Sequence, residues 1–128
     1  MDYHASCVRN VAFIGHGGNG KTSLTEALLF LNGNISKAGR TENGDTVSDF
    51  DAEEIKRKIS VSLSVVPVEA DGFKINILDC PGYFDFEGSV INALEVADGA
   101  VIVAAASGID VGCEKALALT RLKKKPRI

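Results

Sequence analysis

Several features that would mark common classes of protein are scarce or missing in this 128-residue chain. Its three cysteines are odd in number and widely spaced, a pattern that supports neither disulfides nor a zinc site. Two histidines are too few for a histidine metal site. The net charge of −3 gives no overall basic field, so sequence-specific DNA binding is not expected. No apolar run reaches the roughly 20 residues that a membrane-spanning helix needs.

The first ten residues also lack the pattern of a secretory signal, because an acid and two polar groups precede any apolar run. We therefore expect a cytoplasmic protein with reduced thiols and no membrane contact. Hydrophobic residues make up 45% of the chain and charged residues 24%, which is enough to bury a core. The length predicts a single domain over 1–128.

Three stretches have the apolar spacing of amphipathic helices. The first is expected to end at Asn32–Gly33, the second at Asp98–Gly99, and the third to be capped by Asp110 and to run to about Leu122. The predicted buried stripes are Leu24, Ala27, Leu28 and Leu31 in the first helix, and Val90, Ala93, Leu94 and Ala97 in the second.

Strand patterns alternate with these helices. Continuous apolar runs over 11–15 and 100–106 are typical of strands buried on both faces. Residues 60–65 alternate, which predicts a half-buried strand with Val61, Leu63 and Val65 facing inward; Pro67 favours an edge position and Asp71–Gly72 a hairpin turn. This order predicts an α/β open sheet, mostly parallel with one antiparallel edge hairpin and with helices on both faces. Residues 33–58 show no period, which is uncommon unless the segment is functional.

The segment GHGGNGKTS stands between the first strand and the first helix and matches the phosphate-binding pattern G-x-x-x-x-G-K-[ST]. Glycines allow the backbone N–H groups to converge on phosphate oxygens, and the helix N-terminus adds partial positive charge. Lys21 brings a full charge to the terminal phosphates, and the Thr22 hydroxyl suits Mg²⁺. We expect His16 to pack or face solvent rather than catalyse. The predicted nucleotide-binding residues are Gly15, His16, Gly17, Gly18, Asn19, Gly20, Lys21, Thr22 and Ser23.

The strand KINILD ends in a carboxylate, Asp79, at the sheet edge where ligands of open α/β sheets bind. A carboxylate there can hold Mg²⁺, usually through water, and Gly82 completes a D-x-x-G spacing whose backbone N–H can contact a third phosphate. The alternative is that Asp79 only caps the following turn.

Together, the stretches RNVAFIGHGGNGKTSLTEALL, INILDCPGYFDF and EVADGAVIVAAASGIDVG resemble the GTP-binding domain of elongation factor G and its relatives, the translational GTPases. The resemblance implies a P-loop NTPase-type fold, GTP as substrate, Mg²⁺, the ribosome as partner and a nucleotide-dependent switch. By position it implies that Asp79, Cys80, Pro81, Gly82 and Tyr83 form the second switch and contact nucleotide, that Thr22, Ser60 and Asp79 hold the metal, and that Lys21 and Tyr83 are catalytic.

The chain departs from the family pattern at four positions. Ser60 stands where the first switch usually has threonine, Lys58 replaces a glycine nearby, and Gly18 replaces a common aspartate. Tyr83 occupies the position of the catalytic histidine. A phenol with an ordinary pKa of about 10 is a poor base at neutral pH but can orient water by hydrogen bonding. Tyr83 thus either orients water or packs its ring, leaving a GTP-binding switch with little hydrolysis.

Other questions stay open at this stage. The guanine-reading Asn-Lys-x-Asp motif of the family is not present, so we expect a partial GTP-binding domain of a longer protein, with an open apolar edge at residues 100–106 and a tendency to self-associate. An ATP-using P-loop enzyme is the alternative, because the phosphate loop does not choose the base.

The cations of RLKKKPRI fit either a solvated helix end or a contact with RNA phosphates.

Overall fold

The computed structural model describes residues 3–48, 62–82 and 87–128, and within them the chain forms one mixed sheet of four strands. The strands are β1 Val8–Ile14, β2 Ser64–Ala70, β3 Phe73–Asp79 and β4 Gly99–Ile102. The central strand β1 pairs in parallel with β3 and with β4, and β2 runs antiparallel to β3 at the edge. The predicted mostly parallel sheet with an antiparallel edge hairpin is confirmed.

Helices connect these strands. They are α1 Lys21–Leu31, α2 Glu87–Val96 and α3 Val111–Leu122, with short 3-10 turns at Ala5–Cys7 and Thr41–Asn43. Helix α1 ends before Gly33, whose φ of 70° gives the left-handed conformation common after a helix end. Asp110 caps α3, as predicted, by accepting a hydrogen bond from the Cys113 N–H at 2.9 Å. Within the described ranges, no helix is both long enough and apolar enough to cross a membrane.

The helices cover both faces of the sheet, as predicted. Alternate residues of β1 point to opposite sides, so Ile14 belongs to one core and Phe13 to another. The first core includes Leu94 of α2 and Ala116 of α3, and the second includes Leu29 of α1. The stripe predicted for α2 is confirmed, since Ala93, Leu94 and Ala97 are buried and Val90 packs against them.

The buried face of α1 is not the one that apolar spacing predicted. Leu24 is 37% exposed and Leu31 is 79% exposed, so neither belongs to the core. The helix is rotated so that its polar residues face inward, and their hydrogen bonds remove the usual cost of burying them. The buried residues of α1 are Lys21, Thr22, Thr25, Glu26 and Leu29.

The prediction for β2 was wrong in its phase. The strand begins at Ser64, and Ser64, Val66 and Val68 face inward while Val65 is 60% exposed. The Ser64 hydroxyl donates to the Ser48 carbonyl oxygen at 3.0 Å, so a polar residue can occupy the first inward position. Leu63 packs against the core from outside the strand, and Val61 lies outside the described residues. Pro67 does sit on the edge strand, as predicted.

Strand β4 is shorter and less buried than expected. Only residues 99–102 form the strand, and Ala100 is its one fully buried residue. Its outer edge is not open, because main-chain hydrogen bonds join it to the last residues of the sequence: Ala100 N–H to Pro126 O at 2.9 Å, Ile102 N–H to Ile128 O at 2.8 Å and Ile128 N–H to Ala100 O at 3.1 Å. The expected open edge is therefore wrong over this stretch, and self-association stays a prediction.

Candidate nucleotide-binding site

The loop between β1 and α1 has a backbone that requires glycine. Gly15, Gly18 and Gly20 have φ values of 144°, 82° and 91°, in the region that side chains with a Cβ rarely adopt. A Cβ built on Gly15 would lie 2.3 Å from the carbonyl oxygen of Val103. The conformation of the loop and its contact with the chain beyond β4 therefore depend on these glycines.

Lys21 lies at the start of α1 with its side chain folded over this loop. The residue is buried, and its ammonium group donates hydrogen bonds to the carbonyl oxygens of Gly15 at 3.1 Å and His16 at 2.8 Å. Burial lowers the pKa of Lys21 from its ordinary value, and the neighbouring Asp79 carboxylate partly opposes that shift. The ammonium group thus stands over the loop, where it can exchange carbonyl partners for phosphate oxygens.

The two sequence motifs meet at Thr22 and Asp79. The Thr22 hydroxyl donates to Oδ2 of Asp79 at 2.8 Å, although the two residues are 57 positions apart. Parallel pairing of β1 with β3 sets Asp79 beside Phe13, two residues before the loop begins. Asp79 is 1% exposed, so the carboxylate is directed into the site rather than into solvent.

Gly82 lies directly against the loop. A Cβ built on it would be 2.5 Å from the Gly17 amide nitrogen and 2.5 Å from Nζ of Lys21. Only a residue without a side chain fits this position. The structure therefore brings together Gly15, Gly17, Lys21, Thr22, Asp79 and Gly82, all of which were predicted site residues.

Cys80 and Pro81 are buried beside this cluster. The Cys80 thiol contacts the Leu78 carbonyl oxygen at 3.5 Å and belongs to the core under α2 and α3. Burial, with a further contribution from the Asp79 charge, raises the pKa of Cys80 to about 12. Its side chain is therefore a neutral core group on the side of the sheet away from α1.

Asn19 fastens the loop to the N-terminus of α3, a role that its position in the motif did not reveal. Its side-chain amide donates to Oδ2 of Asp110 at 2.8 Å and to the Val103 carbonyl oxygen at 3.1 Å. This hydrogen bond from Asn19, together with the one from the Cys113 N–H, lowers the pKa of Asp110. Asp110 thus serves as both helix cap and loop anchor.

His16 is half-buried, and the main chain of α3 approaches it closely. A Cβ built on Gly112 would be 2.7 Å from the Cα of His16, so this contact also requires glycine. Gly18 and Ser23 are exposed at the rim of the loop. Of the two alternatives expected for His16, packing or facing solvent, this arrangement favours packing.

Glu26 is a residue that sequence reasoning missed. It is 2% exposed, and its carboxylate accepts hydrogen bonds from the main-chain N–H groups of Gly39 and Val47. The segment after α1, which showed no period, is thereby attached to the helix. The signal available in the sequence was a carboxylate one helical turn after Thr22.

Two predicted site residues, Ser60 and Tyr83, lie outside the described residues, and their roles stay predictions. In the C-terminal basic stretch, Lys123 pairs with Glu95, and Lys125 donates to the Ala97 carbonyl oxygen at 2.7 Å. Two cations of that stretch therefore stabilise its contact with α2, and the contact with RNA phosphates stays a prediction.

A glycine-rich loop between a parallel strand and a helix, with a lysine over it and a threonine bonded to a strand-end aspartate, defines a P-loop nucleotide-binding domain. Residues 6–128 match the family described as the elongation factor Tu GTP binding domain. The chain belongs to that family, which confirms the resemblance to translational GTPases.

Two relatives of this chain are named an elongation factor G-like protein and a ribosome-releasing factor. The chain is 41% identical over 128 aligned positions to an elongation factor G-like protein of Mycobacterium tuberculosis strain H37Rv, covering 90% of this chain and 18% of that protein. It is 39% identical over 112 positions to the mitochondrial ribosome-releasing factor 2 of Candida dubliniensis, covering 87% and 14%. The chain therefore spans less than a fifth of the length of these relatives.

Solved structures agree with the fold. A crystal structure of a Thermus thermophilus protein superposes with a TM-score of 0.87 at 39% identity, covering 92% of this chain and 18% of that one. The bacterial selenocysteine-specific elongation factor superposes with a TM-score of 0.71 at 22% identity, covering 94% of this chain and 18% of that one, and supports the fold alone.

Proposed function

We propose that this chain is the phosphate- and magnesium-binding part of a GTP-binding domain, 1–128, in an elongation factor G-like translation factor. The observation that carries the proposal is the meeting of Thr22 and Asp79 at 2.8 Å beside Lys21 and Gly82. Membership of a GTP-binding family favours GTP over ATP. The factor would use GTP binding and hydrolysis as a conformational switch. We propose that it acts on the ribosome because two of its relatives are named an elongation factor G-like protein and a ribosome-releasing factor.

The residues present fit Mg²⁺. A hydroxyl and a carboxylate, both buried and in contact, are the hard oxygen donors that this ion prefers, and it usually takes only one or two carboxylates besides phosphate. We propose Thr22 and Asp79 as ligands, Asp79 through water, with Ser60 as a third donor. When bound, the ion would neutralise phosphate charge.

The remaining groups hold the nucleotide. Lys21 supplies its ammonium to the terminal phosphates, and the loop N–H groups surround the others. We propose that the Gly82 N–H contacts the third phosphate, because Gly82 lies against Gly17 and Lys21 of the loop, and that the chain after it responds to that phosphate. Catalysis here rests on positioning and charge, which Lys21 provides, and we assign Tyr83 the orientation of water through its hydroxyl.

Translation also sets the proposed location and partner. We propose the ribosome as partner and the cytoplasm as compartment, although the ribosome-releasing factor of Candida dubliniensis is mitochondrial by name.

The proposal is tested by calorimetric titration of the intact protein with GTP, GDP and ATP, with and without Mg²⁺. We expect guanine nucleotides to bind at least ten-fold tighter than ATP. Asp79→Asn should remove most of the Mg²⁺-dependent affinity, about ten-fold or more, because one charge-assisted contact is lost. The control is Asp71→Asn, at an exposed hairpin turn whose φ of 51° asparagine tolerates.

Equal binding of ATP, or an unchanged Mg²⁺ dependence in Asp79→Asn, would contradict the proposal. With the same preparations, ribosome-stimulated single-turnover hydrolysis by Tyr83→Phe should be slower than in wild type. An unchanged rate would show that the hydroxyl does not orient water and that Tyr83 only packs.

A further inference from the structure

The contacts of Glu26 tie a distant segment to the helix that carries Lys21 and Thr22. Oε2 accepts the Gly39 N–H at 2.8 Å, and Oε1 accepts the Val47 N–H at 2.5 Å. A buried carboxylate is stable only when its oxygens are hydrogen-bonded, and an ionised one accepts from two donors at once. One side chain thus fixes both ends of residues 39–47.

That segment is also fixed internally. Oδ1 of Asp45 accepts the Arg40 N–H at 2.7 Å, and a Cβ built on Gly39 would lie 2.3 Å from the Asp45 carbonyl oxygen. Gly44 reverses the chain with a φ of 66°. The two N–H groups that donate to Glu26 therefore belong to one tight loop, which fixes the distance between them.

The segment continues to the sheet. Thr46 and Ser48 are buried, and the Ser48 carbonyl oxygen accepts a hydrogen bond from the Ser64 hydroxyl on β2 at 3.0 Å. Glu26 therefore connects α1, through residues 39–48, to the edge strand of the sheet.

Helix α1 relies on this connection because its contact with the apolar cluster comes from Leu29 and the half-buried Leu28. Across residues 21–31, all of which the structure describes, Leu29 is the only fully buried apolar residue, and the other buried residues are polar. The first turn of the helix is fixed by the Thr22–Asp79 hydrogen bond, and its middle by Glu26. Glu26 lies four residues after Thr22, on the same face of the helix.

We propose that Glu26 is a positioning residue of the nucleotide site: by binding residues 39–47 it fixes the placement of α1, and with it Lys21 and Thr22. The proposal rests on the proposed function. Positional errors of about 1 Å at such groups are costly. Because binding energies are reciprocal, a nucleotide held by Lys21 and Thr22 also stabilises the segment that Glu26 holds.

The test is hydrogen exchange and nucleotide titration of the intact protein carrying Glu26→Gln. Glutamine offers one acceptor and places an N–H₂ against the other donor, so one of the two bonds is lost. We expect exchange at the Gly39 and Val47 amides to rise about ten-fold and Mg²⁺·GDP affinity to fall about ten-fold. The matched control is Glu42→Gln, an exposed carboxylate within the same segment, for which neither value should change.

A merely structural role gives a different result. Faster exchange at the two amides with unchanged nucleotide affinity would overturn the proposal, as would unchanged exchange. If Glu26→Gln does not fold, wild type decides: Mg²⁺·GDP should slow exchange at Gly39 and Val47, and no slowing would overturn the proposal. If wild type binds no guanine nucleotide, the proposed function fails. The positioning role of Glu26 is then decided by the same exchange and affinity measurements with whichever nucleotide binds.

Discussion

The face of the sheet under α2 and α3 is filled mostly by small apolar side chains, whereas the face under α1 buries Thr22, Thr25, Glu26 and Asp79 beside a smaller apolar cluster. On the first face, removal of apolar surface from water stabilises the folded state. The second gains specific geometry from hydrogen bonds, each of which contributes only about 1 kcal/mol net. Stability and chemistry are thus concentrated on opposite sides of one sheet.

The largest expected effect is a loss of stability when a cavity is created on the apolar face. Leu94 is fully buried in α2, and Leu94→Ala should cost about 2–5 kcal/mol of the free energy of unfolding. Leu31→Ala, on α1 and 79% exposed, should cost less than about 0.5 kcal/mol. Native-state hydrogen exchange of β1 and β3 amides in the intact protein measures both. Similar losses in the two variants would contradict the assignment of the core.

A smaller effect is expected on the chemical face, and on affinity rather than stability. In Gly82→Ala the new Cβ meets the Gly17 nitrogen and Lys21 Nζ at 2.5 Å, and an overpacked site typically costs about 1–3 kcal/mol. Affinity for Mg²⁺·GDP should therefore fall about ten- to hundred-fold in calorimetry. Gly88→Ala in α2 adds a Cβ with nothing within 4 Å, and affinity should not change. An unchanged affinity of Gly82→Ala for Mg²⁺·GDP would show that Gly82 is not part of the nucleotide-binding site.

The smallest effect is expected on stability, at Asp110, which anchors the phosphate-binding loop to α3. The Asn19 and Cys113 hydrogen bonds lower the folded-state pKa of Asp110, so its carboxylate stabilises the fold above the ordinary value of 3.8, and this is lost as pH falls through the folded-state pKa. Asp110→Asn keeps a good helix cap but loses the charge. Its melting temperature should lie slightly below wild type at pH 7, and the gap should narrow as pH falls below 3.8. A gap that does not change with pH would exclude this linkage.

The same contrast explains what the sequence could predict. The stripe with Ala93 and Leu94, the cap at Asp110 and the meeting of Thr22 with Asp79 followed from apolar period, capping chemistry and parallel topology. Of these rules, only the apolar period assumes that buried residues are apolar, which holds for the stripe of α2.

The rules fail where burial is polar. On α1, Thr25 and Glu26 are buried whereas Leu24 and Leu31, which the period placed inward, are exposed, and Ser64 reversed the phase of β2. The Thr25 hydroxyl bonds locally, to the Lys21 carbonyl oxygen one turn back in the same helix. No local pattern reveals the other partners, which are the Ser48 carbonyl oxygen for Ser64 and the N–H groups of Gly39 and Val47 for Glu26. Asn19 was predicted as a loop residue, but its role as an anchor was not, since its partners lie more than 80 positions away.

One peptide oxygen, that of Val103, has a consequence for anyone redesigning this protein. It accepts from the Asn19 amide and the Cys113 thiol, and it faces Gly15 too closely for a side chain. Because it belongs to the main chain, no substitution at position 103 deletes it. Retuning the loop must therefore proceed through the groups that surround this oxygen, and a library that varies only residue 103 would leave the hydrogen-bond acceptor in place in every member.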